Sequence, residues 1–163
     1  MNKQLLVKAE KPFYFFKGLL LCAFALLMIN LDSRAQSGNS IAITGNEEWQ
    51  IVKSNQDVKV YSKEFSCIDT ENGFSMKKVL LKVENLTSDN LIVEWDKKLY
   101  YDNTCKNCEV NTPEYHVKIE LSPEQKIESN CASDDKQTIF IEMIGRASEK
   151  LTSFEFINFT TSK

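Results

Sequence analysis

Lys78-Val79-Leu80-Leu81-Lys82-Val83-Glu84, then Asn85-Leu86-Thr87-Ser88-Asp89-Asn90, then Leu91-Ile92-Val93-Glu94-Trp95-Asp96, is the stretch that decides the fold. Val79, Leu81 and Val83 alternate with Lys78, Leu80 and Lys82, and Leu91, Val93 and Trp95 alternate with Ile92, Glu94 and Asp96. Successive side chains of a strand point to opposite faces, so each run offers one apolar face to a core and one largely charged face to water. The Asn, Ser and Asp side chains between the runs can satisfy backbone groups locally, as a turn requires.

The same period recurs outward from this centre. Val58 and Val60 alternate with Lys59 and Tyr61, and Tyr115, Val117, Ile119 and Leu121 alternate with His116, Lys118 and Glu120. Thr138 to Ile144 is apolar almost throughout, and Phe154 to Phe159 carries aromatic residues on both faces, which predicts central strands covered on both sides. Asp102 to Pro113, Ser122-Pro123-Glu124 and Ser129 to Lys136 read as loops, with at most a short helical turn near Ala147 to Leu151. The expectation is an all-β chain of about seven antiparallel strands.

Upstream, Lys3, Lys8, Lys11 and Lys17 precede an apolar run from Leu19 to Ile29, followed by Asn30-Leu31-Asp32-Ser33-Arg34-Ala35. That is the order of a secretory signal peptide, with cleavage expected between Ala35 and Gln36. An uncleaved anchor needs about 20 apolar residues, and extending the run back to Phe13 buries Lys17 in the span. Residues 36–46 read as a flexible lead-in and residues 47–163 as the folded domain. The leader holds five of the chain's 20 basic and two of its 23 acidic residues, so the remainder carries −6. With its lysines scattered among carboxylates, the chain has no basic stripe for a nucleic-acid backbone. The expected setting is periplasmic or extracellular, with no membrane span after cleavage.

The segment Leu80 to Trp95, a strand, an Asn-rich turn and a strand bearing an inward Trp95, resembles immunoglobulin-like and fibronectin-like sandwiches. By pattern the resemblance covers roughly residues 49–160. It implies a seven-stranded sandwich, and the Cys, Trp, Cys order of that family can be filled by Cys67, Trp95 and Cys131. Trp49-Gln50-Ile51-Val52-Lys53 followed by Val58-Lys59-Val60-Tyr61 resembles the opening of START-family lipid-transfer domains. Such a domain needs a long C-terminal helix, whereas residues 138–163 are β-branched and aromatic.

Four cysteines follow the leader: Cys67, Cys105, Cys108 and Cys131. In an exported domain they read first as two disulfides, Cys105 with Cys108 and Cys67 with Cys131. Pairing each Cys of the CxxC with one of the distant two is the alternative. Cys105-Lys106-Asn107-Cys108 also has the spacing of a thiol-disulfide centre, but Glu109-Val110-Asn111-Thr112-Pro113 is a poor helix start and Glu109 disfavours a thiolate beside it. Zinc fits less well, with one close pair and no useful histidine spacing.

His116, the single histidine, falls on the polar face of its strand. Nothing in the sequence assembles a catalytic grouping or a cofactor site around it. Lys97-Lys98-Leu99-Tyr100-Tyr101 is the segment that reads as a contact surface, because adjacent tyrosines in a strand place one ring outward in either register. Asn85-Leu86-Thr87 and Asn158-Phe159-Thr160 fit the glycosylation rule. The functional expectation is an exported, non-enzymatic binding or structural module with a protein or glycan partner. An exported redox protein using Cys105 and Cys108, and a carrier of apolar ligands, are the alternatives.

Overall fold

A computed structural model describes residues 40–163 apart from 111 and 135, so the leader and the cleavage position at Ala35 and Gln36 lie outside the described residues. Those residues are all-β: β1 (Ile41–Ala42), β2 (Gln50–Ser54), β3 (Val58–Asp69), β4 (Phe74–Asn85), β5 (Leu91–Tyr101), β6 (Thr104–Cys105), β7 (His116–Leu121), β8 (Lys126–Glu128), β9 (Thr138–Ile144) and β10 (Leu151–Ser162). No helix among them is long and apolar enough to cross a membrane.

Two antiparallel sheets form. Sheet I runs β1-β10-β5, with β6 and β7 sharing the far side of β5. Sheet II runs β2-β3-β4, with β8 and β9 sharing the far side of β4. The alternation read from sequence sets which face is covered. Val58, Val60, Val79, Leu81 and Val83 of sheet II and Leu91, Val93, Trp95, Val117, Phe154 and Phe156 of sheet I enter one hydrophobic cluster, which makes the architecture sandwich-like. Trp95 is fully buried, with Phe156 tilted against it at 5.4 Å and Phe159 stacked at 5.9 Å between ring centroids. Truncating such a ring to alanine costs about 3–5 kcal/mol.

Each sheet has a long strand whose outer edge is served by two short strands with a loop excursion between them. On β5, β7 pairs with Leu91 to Asp96 and β6 with Tyr100 and Tyr101. The gap is closed by Asn107, which donates its amide to the Lys97 carbonyl at 2.6 Å and accepts the Leu99 N–H at 2.9 Å. Lys106 N–H adds a bond to the Leu99 carbonyl at 2.9 Å. Asn107 is buried, and its amide does there what a strand would do. On β4, β9 pairs with Ser75 to Leu80 and β8 with Lys82 to Glu84, while Ser129 serves Leu81 with both its N–H and its hydroxyl.

A disulfide holds each excursion. Cys105 and Cys108, with Cα atoms 5.7 Å apart, bracket Asn107. Cys67 and Cys131, with Cα atoms 5.6 Å apart, tie the β8–β9 excursion to β3. Cys67 shares its strand face with Lys63 and Phe65 and stays out of the central cluster. The bridge therefore lies on the outer side of sheet II, and the Cys67, Trp95, Cys131 order does not generate a cross-sheet bridge.

Several expectations need correction. The strands number ten among the described residues rather than about seven, because the split edges and the short β1 add pieces that alternation does not reveal. β9 is an edge strand, not a central one. Ile139 and Ile141 face inward by ordinary alternation, and the register shifts at Ile141, which has no partner between Lys77↔Glu142 and Lys78↔Phe140. Residues 147–150 form no helical turn, and Leu151 already belongs to β10. The first sheet also begins inside the segment read as a lead-in, since Ile41 and Ile43 pack against the core.

Candidate functional site

The outer face of sheet II is built from the N-terminal segment inward. Glu64 is buried on β3 and accepts the N–H groups of Thr44 at 2.7 Å and Gly45 at 2.6 Å. Its own N–H bonds the Asn46 carbonyl at 2.8 Å, and Lys77 Nζ lies 3.9 Å from the carboxylate. Gly45 sits at φ 80°, a conformation most side chains resist, which lets the chain turn at this anchor. From there the chain runs to Trp49, immediately before β2, where Gln50 pairs with Ser62.

Trp49 is thereby laid over the outward side chains of β3 and β4. Lys63 Nζ stands 4.5 Å and Lys82 Nζ 4.6 Å from its ring centroid. Lys82 also stands 4.4 Å from the Tyr61 ring, and Lys63 5.4 Å from the Phe65 ring. The result is an alternating row, Tyr61, Lys82, Trp49, Lys63, Phe65, in which each ammonium sits between two aromatic faces. Such contacts contribute about 0.5–1 kcal/mol each at exposed sites. Phe65 and Ile51, which pairs with Tyr61, remain 42% and 56% exposed.

Two carboxylates flank the row. Glu84 accepts the Tyr61 hydroxyl at 2.7 Å and pairs with Lys126 at 2.8 Å. Lys126 foremost, and then Tyr61, hold the Glu84 carboxyl below its usual range, while the hydrogen bond to Glu84 and partial burial push the Tyr61 phenol up. Glu128 lies 3.8 Å from Lys63.

The outer face of sheet I carries a different chemistry. Glu94 faces Lys118 at 3.3 Å. Asp96 meets His116 Nδ1 at 2.9 Å and the Asn158 amide at 2.8 Å. Burial pushes the Asp96 carboxyl up, but Asn158 and His116 outweigh it, and the group ends below the usual carboxylate range. His116 is exposed and is the cross-strand partner of Asp96, as expected of a residue on a polar face.

The two tyrosines separate as strand alternation requires. Tyr101 packs against the core and donates its hydroxyl to the Phe140 carbonyl at 2.6 Å, linking the sheets. Tyr100 faces outward and donates to Glu155 at 3.1 Å, with Cys108 Sγ 3.9 Å from its oxygen. Burial first and Glu155 second push its phenol up. A cleft of about 290 Å³ beside the Cys105–Cys108 loop is lined by Asp96, Lys97, Asn107, Cys108, Tyr115 and Asn158 among others.

Of the two glycosylation sequences, Asn85 is buried and donates its side-chain amide to the carbonyls of Asp89 and Ser122, both at 2.8 Å. It organises the turn between β4 and β5 and cannot receive a sugar in the folded chain. Asn158 is exposed at φ 52°, with its amide committed to Asp96.

The alternating row was not among the residues singled out from sequence. Trp49 precedes its strand, so alternation says nothing of where its ring lands. Lys63 and Lys82 look like any solvated lysines until the register places them side by side.

No protein-family model and no curated protein matches the chain. A solved structure of a DUF1425 family member from Shewanella sp. pv-4 is similar, at 12% identity and a TM-score of 0.35, over 77% of this chain and 96% of that one. That likeness is too coarse to transfer residues or activity.

Proposed function

We propose that this chain is an exported, non-enzymatic binding or structural module that meets a protein or glycan partner through the outer face of sheet II. The alternating row of Tyr61, Lys82, Trp49, Lys63 and Phe65 carries the reading. Exposed aromatic side chains combine large contact area with few rotatable bonds, which favours them at interfaces. An immunoglobulin-like arrangement is supported by the core strands: β4 pairs with β9 in one sheet, β5 with β10 in the other, and the buried Trp95 sits on β5.

The redox alternative draws less support. Asn107 between the two cysteines is spent on closing the edge of β5, so the loop has a structural task. The cleft beside it is lined largely by charged and polar groups, and the cavity lined by Ile41, Ile43, Val52, Val79 and Phe154 holds only about 100 Å³, so an apolar-ligand carrier also draws less support.

Baits of the wild-type protein, Trp49→Ala and Tyr100→Ala, each incubated with the cell-envelope fraction, test the proposal. The expected result is a component retained by wild type and Tyr100→Ala and lost from Trp49→Ala. Equal retention by all three baits, or by none, overturns it.

A further inference from the structure

The charges on the two outer faces are segregated. Lys59, Lys63, Lys78, Lys82 and Lys126 share the outer face of sheet II with Asp69, Glu84 and Glu128. On sheet I the outward strand positions include Glu94, Asp96, Glu120 and Glu155 beside Lys98 and Lys118. Five of the chain's 20 basic residues therefore lie on the face that also carries the aromatic row. An excess of lysine over carboxylate on one face steers anions toward it.

We infer that the ligand of this face is an acidic polysaccharide of the uronate type, an inference that rests on the binding-module reading above. Three features select that chemistry. First, the row lies on the face of paired strands, whose backbone groups are used in the ladder, so side chains alone make the contact and an added β-strand is not the mode. Second, Phe65 is 42% exposed and Trp49 half-buried in the row, which leaves apolar ring surface of the kind a pyranose C–H face packs against. Third, the cations are all lysines, which act as point charges suited to carboxylates spaced along a chain. Glu84 beside Lys126 and Glu128 beside Lys63 interrupt the cations, so no continuous basic stripe runs along this face for a phosphate backbone. Lys63 and Lys82, each against the rings, are positioned to meet a carboxylate while Trp49 covers the sugar that bears it.

Affinity electrophoresis of the native full chain in gels containing polygalacturonate tests the inference, with neutral dextran, poly-glutamate and single-stranded poly-dT in parallel gels. Polygalacturonate is expected to retard the protein and dextran to leave it unaffected, with poly-glutamate and poly-dT at least tenfold weaker. The double variant Lys63→Gln/Lys82→Gln, which keeps side-chain bulk, is expected to lose tenfold or more in affinity, and Lys98→Gln/Lys118→Gln to lose less than twofold. Trp49→Phe is expected to retain binding that Trp49→Ala loses. No retardation by polygalacturonate, or equal retardation by poly-glutamate or poly-dT, overturns the inference. If envelope capture still depends on Trp49 while polygalacturonate fails to bind, the glycan assignment falls and the binding face stands; if both fail, both fall.

Discussion

Sheet I and sheet II share a plan and meet water differently. Both place a long strand, β5 or β4, beside an edge made of two short strands and a disulfide-held excursion. On sheet I the outward groups are spent on one another: Glu94 with Lys118, Asp96 with His116 and Asn158, Tyr100 with Glu155. On sheet II Glu84 pairs with Lys126 and Tyr61 and Glu128 lies near Lys63, but Lys63 and Lys82 also lie against aromatic rings, of which Phe65 remains partly open. The common scaffold thus carries open aromatic surface on one outer face, and it is on that face that the proposed contact rests.

The two excursions give the largest test. Cys67 and Cys131 are 64 residues apart in sequence, so replacing both with serine is expected to lower unfolding free energy by about 4 kcal/mol in the chain-entropy account. The Cys105–Cys108 pair, only three apart, is expected to contribute about 2 kcal/mol on the same account. Urea denaturation of the two double-serine variants measures both, and a larger loss at the short bridge would reverse the ranking. Next comes Asn107→Ala, which strips partners from the Leu99 N–H and the Lys97 carbonyl and is expected to cost about 2 kcal/mol. Ser129→Ala, which removes the single hydroxyl bond to Leu81, is expected to cost about 1 kcal/mol. Near-equal losses at these two positions would show that the gaps are closed equally well.

Acid titration gives the smallest effects. Glu84 on sheet II and Asp96 on sheet I both have carboxyls held below their usual range in the folded chain. A lowered folded pKa means stability present above the unfolded value, near pH 4, and lost as pH falls through the folded one. Glu84→Gln and Asp96→Asn are each expected to flatten the acid limb of stability measured by urea midpoint, by less than about 1 kcal/mol. Added salt is expected to shrink the Glu84 contribution more, because its foremost partner is the exposed Lys126, whereas the foremost stabilising partner of Asp96 is the uncharged Asn158.

The core was legible because one-sided sheets must alternate. The period of two places Val58, Val60, Val79, Leu81, Val83, Leu91, Val93 and Trp95 inward, and all are buried. What escaped depends on registers that a single strand does not contain. Glu64 occupies the inward set like a valine, yet its charge is indistinguishable in sequence from that of neighbouring surface residues until Thr44 and Gly45 fold over it. Asn107 acts only because β6 and β7 leave a gap on β5, and nothing in the CxxC spacing announces that gap. The tyrosine pair does place one ring outward, but Tyr100 bonds its own neighbour Glu155, while the exposed Phe65 lies on the opposite sheet.

Site-specific photo-crosslinking in intact cells distinguishes the two faces most directly, with a benzophenone side chain placed at Phe65 on sheet II or at Tyr100 on sheet I. The expected result is a crosslinked envelope product from position 65 and none from position 100. A product from position 100 alone would contradict the assignment of the contact face to sheet II.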